Sequence, residues 1–309
     1  MISIAMTTYN GERFVLEQIQ SILLQDYSDF ELIICDDCSS DCTFDILKKK
    51  SLTDNRVKIY RNSKNIGFKK NFEQALSICT GDYIAFCDQD DIWLSNHLSI
   101  LVNNIGDCDL ISGNALLCDA NCVSLNTDLL SCSKFDYLPT TNDEWFFFLL
   151  HGNIFQGSAT LLRRSLVAKA LPIPDRVKFH DYWFALIAAS NNGVTYLTDC
   201  ILKYRQHSNN ITQNKKWSFY QKIRDLFDSS ITDEKISLQI NTLEALFENI
   251  KSGTKKKQIM SALDYYSAQR LKKNKLQNIK YFLSNYKLMY LNKNLKLLLY
   301  RLIKNMVYY

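Results

Sequence analysis

A strict alternation of short apolar runs and helical repeats, from Ile2 to Cys87, limits the folds open to this 309-residue chain. Ile2-Ser-Ile-Ala-Met6 reads as a short buried strand, and Thr7-Thr-Tyr-Asn-Gly11 after it is a turn-forming cluster. Val15, Ile19, Ile22 and Leu23 then recur at i, i+4, i+7 and i+8, which predicts a helix ending near Gln25. Glu31 to Cys35 is a second strand, broken by Asp-Asp-Cys-Ser-Ser-Asp, and a helix runs from Phe44 to Lys50. Val57 to Arg61 as strand, Lys69 to Cys79 as helix and Tyr83 to Cys87 as strand continue the series. Alternation with short connections predicts an α/β fold with a mostly parallel, doubly wound sheet. In such sheets ligands lie beyond the carboxyl ends of the strands, so the loops after Met6, Cys35 and Cys87 are expected to meet at one crevice.

The loop after Cys87 carries the sharpest chemical signal. Phe86-Cys-Asp-Gln-Asp-Asp-Ile-Trp93 sets Asp88, Asp90 and Asp91 at the end of an apolar strand, and three carboxylates together repel unless a cation joins them. A hard divalent ion such as Mg²⁺ or Mn²⁺ takes a few carboxylate oxygens and fills its shell from water and phosphate, which suits a nucleotide diphosphate. The competing assignment is structural: Asp91 capping a helix opened by Ile92-Trp93, with the others facing solvent. Thr7 and Tyr9 likewise fit as turn residues, and Asp36 and Asp37 as helix caps.

Taken in order, Thr7-Thr-Tyr-Asn-Gly, Asp36-Asp-Cys-Ser-Ser-Asp and the acidic loop resemble the nucleotide-diphosphate-sugar binding half of the family 2 glycosyltransferases, which share the glycosyltransferase A fold. The resemblance implies that Thr7 and Tyr9 hold the nucleoside and that Asp37 accepts the imide N–H of a uridine or thymidine donor. It makes Asp88 and Asp90 the metal-binding carboxylates, with Asp90 a direct ligand of Mn²⁺ or Mg²⁺. Asn65-Ile-Gly67-Phe resembles the donor-loop segment, where Gly67 lets backbone approach the ligand. Phe179-His-Asp-Tyr-Trp183 resembles the catalytic-base motif and maps the base onto Asp181, with His180 and Trp183 shaping an acceptor-sugar subsite. Tyr204-Arg-Gln-His207 resembles a segment in which His207 completes the metal shell and Arg205 meets the diphosphate. The whole resemblance covers about residues 1–212.

Charge divides the chain at Lys215. Residues 1–214 carry 18 Lys+Arg against 25 Asp+Glu, a net of −7, whereas 215–309 carry 19 against 7, a net of +12. The expected organisation is a catalytic domain over 1–214 and a basic helical region over 215–309. Leu291, Leu295, Leu298, Leu299, Leu302, Ile303 and Met306 fall on one face of a final helix, opposite Lys293, Lys296, Arg301 and Lys304. That pattern fits either an anionic membrane surface or helices packing on the catalytic domain or in a homodimer. No apolar run reaches the about 18 to 20 residues needed to cross a bilayer, and no signal peptide is expected at the N-terminus. Ten dispersed cysteines fit a reducing compartment, and the trio Cys35, Cys38 and Cys42 lacks a partner cluster for zinc.

These readings converge on an inverting transferase at the cytoplasmic face of the plasma membrane. It is expected to add a sugar from dTDP-rhamnose or a UDP-sugar to a lipid-linked saccharide during O-antigen or capsule-type polysaccharide synthesis. The pathway is implied by the resemblance, which is closest to rhamnosyltransferase-like members. The rival functions are a nucleotide-binding module of the same fold without catalysis, and nucleic-acid binding through the basic tail. The apolar stripe favours lipid or protein over nucleic acid.

Overall fold

The computed structural model describes residues 1–133, 135–207, 229–251, 253–271 and 275–291, together with 298, 299 and 302. The chain forms two compact units: Met1–Cys132 with Ile154–Ile173 and Phe179–Asn214, and Ser133–Asn153 with Pro174–Lys178 and Lys215–Tyr309.

In the first unit β1 (Ile2–Thr8), α1 (Val15–Leu23), β2 (Phe30–Asp36), α2 (Thr43–Ser51), β3 (Val57–Arg61), α3 (Phe68–Ile78) and β4 (Tyr83–Cys87) follow the predicted alternation. The rest comprises β5 (Ile92–Trp93), α4 (His97–Asn104), β6 (Leu110–Cys118), β7 (Ser124–Asp128) and α5 (Leu129–Ser133). After α6 (Asn142–Leu149), which belongs to the second unit, come β8 (Thr160–Arg163), α7 (Arg164–Ala170), α8 (His180–Ser190) and β9 (Val194–Arg205). The strands form one sheet in the order β3-β2-β1-β4-β8-β6-β9-β5, with β7 on β6. β8, β5 and β7 run against the other six, so the sheet is mostly parallel, as expected.

The chain moves outward from β1 to β3 and then returns to the far side of β1 as β4, so the strand order reverses between β1 and β4. Register carries that reversal to the carboxyl edge: Thr8 lies beside Asp36, and Met6 beside Cys87. The three polar loops therefore leave the sheet side by side. The strands beneath them are buried almost end to end, with Ile2, Ile4, Met6, Leu32, Ile34, Ala85 and Cys87 in one core with Val15, Ile19 and Ile22 of α1. Such double-sided burial explains their continuous apolar sequence.

Two local expectations are corrected. Ile92 and Trp93 do not open a helix; they pair with Lys203 and Leu202 of β9, and the helix begins at His97. Asp91 is therefore not a cap but a buried residue at the foot of that bridge. Beyond that bridge β6 runs from Leu110 to Cys118, and β7 and α5 follow it.

The second unit is helical: Asn142–Leu149, Ser229–Asn249, Thr254–Arg270 and Lys275–Tyr290. A capping box joins Thr141 and Glu144 at the start of the first of these. Tyr265, Phe282, Tyr286 and Met289 form an aromatic core, and His151 bonds the hydroxyls of Tyr266 and Tyr281. Among the described residues no helix is long and apolar enough to cross a membrane. Of the predicted terminal stripe Leu291, Leu298, Leu299 and Leu302 are among the described residues, whereas Leu295, Ile303 and Met306 and the basic Lys293, Lys296, Arg301 and Lys304 lie outside them.

Candidate active site

A cavity of about 450 Å³ opens at the carboxyl edge of β1, β2 and β4. Thr7, Tyr9, Asp37, Gly67, Asp88, Asp90, His180 and Asp181 all line it.

At one end the loop after β1 is held in shape by a side chain that the sequence did not flag. Gln89 mimics a neighbouring strand: its Oε1 accepts from Tyr9 N at 2.9 Å and its Nε2 donates to Tyr9 O at 3.1 Å. Gly11 makes room for this clamp, since a Cβ there would stand 2.3 Å from Gln89 Oε1. The two neighbouring aspartates separate in role. Asp36, fully buried, accepts from Thr8 Oγ1, Ser39 N and Ser39 Oγ and braces the loops. Asp37 faces the cavity and organises the turn before α3. It accepts from Asn62 Nδ2 at 2.9 Å, Ile66 N at 2.9 Å and Gly67 N at 2.8 Å. A carboxylate offers about four acceptor positions, so one remains for a ligand N–H. Gly67 takes φ 84, a left-handed conformation that side chains resist, and so lets the turn run directly into α3.

The acidic loop forms the middle of the cavity. Burial raises the Asp88 carboxyl well above the usual carboxylate range, and the charges of Asp90 and Asp181 add to the shift. Asp90 Oδ2 lies 2.9 Å from His207 Nε2, and the His207 ring stacks on Phe14 with centroids 4.7 Å apart. Among the described residues no three His, Cys, Asp or Glu side chains form a preassembled metal shell. The donor set nevertheless fits a divalent cation: Asp88 and Asp90 share the cavity, the charge of Asp90 helps to raise the Asp88 carboxyl, and the imidazole of His207 is already beside Asp90.

Arg205 does not enter the cavity as expected. Its guanidinium donates to Asp90 O at 2.8 Å, Ala120 O at 3.0 Å and Glu17 Oε2 at 2.6 Å, and lies 4.7 Å from the Phe14 ring centroid. Committed on all sides, it fixes the backbone of the acidic loop rather than meeting a diphosphate.

The far end is built by α8. Its first turn carries His180 and Asp181 into the cavity, where a helix N-terminus favours an anion. Asp181 Oδ1 accepts from Tyr182 N at 2.6 Å, and burial still raises the carboxyl to about 6. Trp183, expected to offer a stacking face, points the other way. It is 1% exposed and its Nε1 donates to Ala170 O at 2.8 Å, so it belongs to the core. The sequence reading also missed Phe68 and Phe72 of α3, Gln156 in the loop before β8 and Tyr204 of β9, which all line the cavity. Their residue types carry no local signal of that placement.

The profile of the family described as "Glycosyl transferase family 2" matches residues 3–171. An Escherichia coli protein named UDP-Glc:alpha-D-GlcNAc-diphosphoundecaprenol beta-1,3-glucosyltransferase WfgD is 37% identical over 127 residues, 38% of this chain and 49% of that protein. The chain thus spans about half the length of that relative. An uncharacterized glycosyltransferase of Haemophilus influenzae is 30% identical over 268 residues, 83% of this chain and 91% of its own length. Among solved structures, S. aureus TarS 1-349 in complex with UDP-GlcNAc matches with TM-score 0.56 at 18% identity, covering 94% of this chain and 89% of that one. Mannosyltransferase PcManGT from Pyrobaculum calidifontis, in complex with GDP-Man and Mn2+, matches with TM-score 0.57 at 17% identity, covering 99% and 86%. At such identities the structural likeness concerns the fold. The family profile spans more than half of this sequence and a full-length relative aligns along it, and on both grounds the chain belongs to glycosyl transferase family 2.

Proposed function

We propose that this protein is an inverting glycosyltransferase that moves a sugar from a nucleotide diphosphate donor to a hydroxyl of a lipid-linked saccharide. One observation carries the reading: a single cavity gathers the loops after β1 and β2, the neighbouring carboxylates Asp88 and Asp90, and a separate carboxylate, Asp181, that burial raises.

Thr7 and Tyr9 bind the nucleoside, and the remaining acceptor position of Asp37 takes the imide N–H of uracil or thymine. A Mn²⁺ or Mg²⁺ ion held by Asp88, Asp90 and His207 would neutralise the charge of the diphosphate. Asp181 receives the proton of the attacking hydroxyl as its oxygen bonds the anomeric carbon. The bond from that carbon to the diphosphate breaks with its electron pair on the leaving oxygen. Attack from the Asp181 side, opposite the diphosphate, inverts the anomeric configuration. A base near pKa 6 is ionised at neutral pH yet accepts a proton better than an ordinary aspartate does.

A UDP-sugar is the favoured donor, supported by the UDP-Glc of the E. coli relative's name and the UDP-GlcNAc of the TarS complex. dTDP-rhamnose offers the same imide to Asp37. The diphosphoundecaprenol acceptor in that relative's name supports a lipid-linked saccharide of bacterial polysaccharide synthesis. Such an acceptor calls for contact with the inner face of the plasma membrane. The helix Lys275–Tyr290 supports it, with exposed Leu276 and Leu283 alternating with Lys280 and Lys287. The residues 1–214 then perform catalysis, and the basic region 215–309 holds the enzyme at anionic lipid.

The test is transfer from UDP-glucose, UDP-GlcNAc or dTDP-rhamnose to a GlcNAc-diphospholipid, with the product's anomeric configuration read by NMR. Inverted product supports the reading; retained configuration overturns the assigned role of Asp181.

A further inference from the structure

The cavity contains two polar atoms that the protein leaves unsatisfied. His180 Nε2 and Gln156 Oε1 are both buried and have no hydrogen-bond partner among the described residues. Buried polar atoms are paired in the great majority of cases, so two exceptions in one cavity need a cause. Neither atom can readily turn elsewhere. The His180 ring is caged by aromatic neighbours, stacked on Phe72 with centroids 4.0 Å apart and edge-on to Phe86 at 5.0 Å. The Gln156 amide is anchored by its nitrogen, which donates to Asp91 Oδ2 at 3.4 Å, and this orientation leaves Oε1 as the unused end. Gly157, between them in the lining, preserves the opening: a Cβ there would lie 3.4 Å from His180 Nε2 and 3.8 Å from Asp181 Cβ.

The chemistry of the two atoms selects a ligand group. Gln156 Oε1 only accepts, so its partner must donate. Burial lowers the His180 pKa to about 3, so the imidazole is neutral and Nε2 donates or accepts according to tautomer. Ionised phosphate oxygens carry no proton to donate to Gln156 Oε1. A sugar hydroxyl both donates and accepts. The cavity also presents the partly exposed Phe68, which suits the C–H face of a pyranose. Gln156 is tied through Asp91 to the same loop that carries Asp88 and Asp90, so a ring attached to a diphosphate on that loop reaches it.

We infer that Gln156 and His180 form a hydroxyl-reading subsite for the donor's sugar ring, with Gln156 as a specificity-determining residue. This rests on the glycosyl-transfer reading above and adds to it the residues that distinguish one sugar nucleotide from another.

The experiment compares wild type, Gln156→Met and His180→Phe by calorimetric binding with Mn²⁺. The ligands are UDP, dTDP, UDP-glucose, UDP-galactose, UDP-GlcNAc and dTDP-rhamnose. Both substitutions keep bulk and remove the unpaired atom, and unliganded melting temperatures verify that each variant folds. In wild type one sugar nucleotide is expected to bind more tightly than its parent nucleotide. Each variant is expected to lose about tenfold of that advantage while binding the parent nucleotide as wild type does. An advantage that survives within twofold in both variants overturns the inference, as does a wild type that binds no sugar nucleotide better than its parent. Failure of folded wild type to bind any nucleotide overturns the underlying reading and this inference with it.

Discussion

Replacing Asp181 with Asn changes one oxygen for an amide in a carboxyl already held by Tyr182 N, so the fold is retained while the proton acceptor is lost. Its pKa of about 6 comes from burial and defines both the size and the pH dependence of the effect. The competent form is the carboxylate. Such a base is about 97% ionised at pH 7.5 and about 10% at pH 5, so wild-type kcat/KM should be flat above pH 7 and fall about tenfold per unit well below pH 6. Positioned bases contribute about 10²- to 10⁴-fold, so Asp181→Asn should lose about 3 to 5.5 kcal/mol of transition-state stabilisation at pH 7.5. The assay follows UDP release during transfer from pH 5 to 8.5 at saturating Mn²⁺, with UDP affinity measured in parallel. UDP affinity should hold within threefold. Activity within tenfold of wild type, or an unchanged inflection near pH 6 in the variant, would refute the assignment of Asp181 as base.

Other consequences concern residues that the cavity depends on indirectly. Gln89→Ala removes both bonds to Tyr9 and should weaken UDP binding about tenfold, whereas Gly11→Ala, which drives a Cβ into Gln89, should cost little more once Gln89 is already Ala. Additive losses in that calorimetric cycle would show that the clamp is not shared. Arg205→Met leaves Glu17 and two carbonyls without their donor, and denaturant unfolding should register a loss of about 2 to 3 kcal/mol. An unchanged unfolding midpoint with weakened UDP binding would instead place Arg205 on the diphosphate. Trp183→Phe forfeits the bond to Ala170 O and some packing, about 2 kcal/mol of stability, with the KM for acceptor unchanged. A raised acceptor KM at unaltered stability would restore Trp183 to the acceptor subsite.

Much of the nucleotide half was readable because its signals are local. Buried parallel strands have continuous apolar runs, their helices repeat every three or four residues, and the polar loops fall between them, so Val57–Arg61 and Tyr83–Cys87 were located to the residue. Ile92-Trp93 failed for the opposite reason: an Asp before two bulky residues looks like a helix start, while the strand partners lie more than a hundred positions away in β9. Sequence also cannot say which way a polar or aromatic side chain turns. Arg205 follows Tyr204 and Trp183 comes two residues after Asp181, both of which line the cavity, yet Arg205 and Trp183 point into protein. Asp36 and Asp37 are adjacent and chemically identical, and only the end of β2 at Asp36 decides that one braces the loops and the other faces the cavity. Gln89 and Gln156 act through backbone groups and buried carboxyls assembled from distant segments, which no spacing rule encodes.

The central claim is tested most directly by the melting temperature of the purified protein with Mn²⁺ and UDP, dTDP, GDP, CDP or ADP in turn, because a ligand that binds only the native state stabilises it. A Mn²⁺-dependent rise with UDP or dTDP, largely absent in Asp37→Ala and Asp90→Ala, is the predicted result. A folded protein whose melting temperature does not change with any nucleotide would contradict the claim that the loops after β1, β2 and β4 form a nucleotide-sugar site.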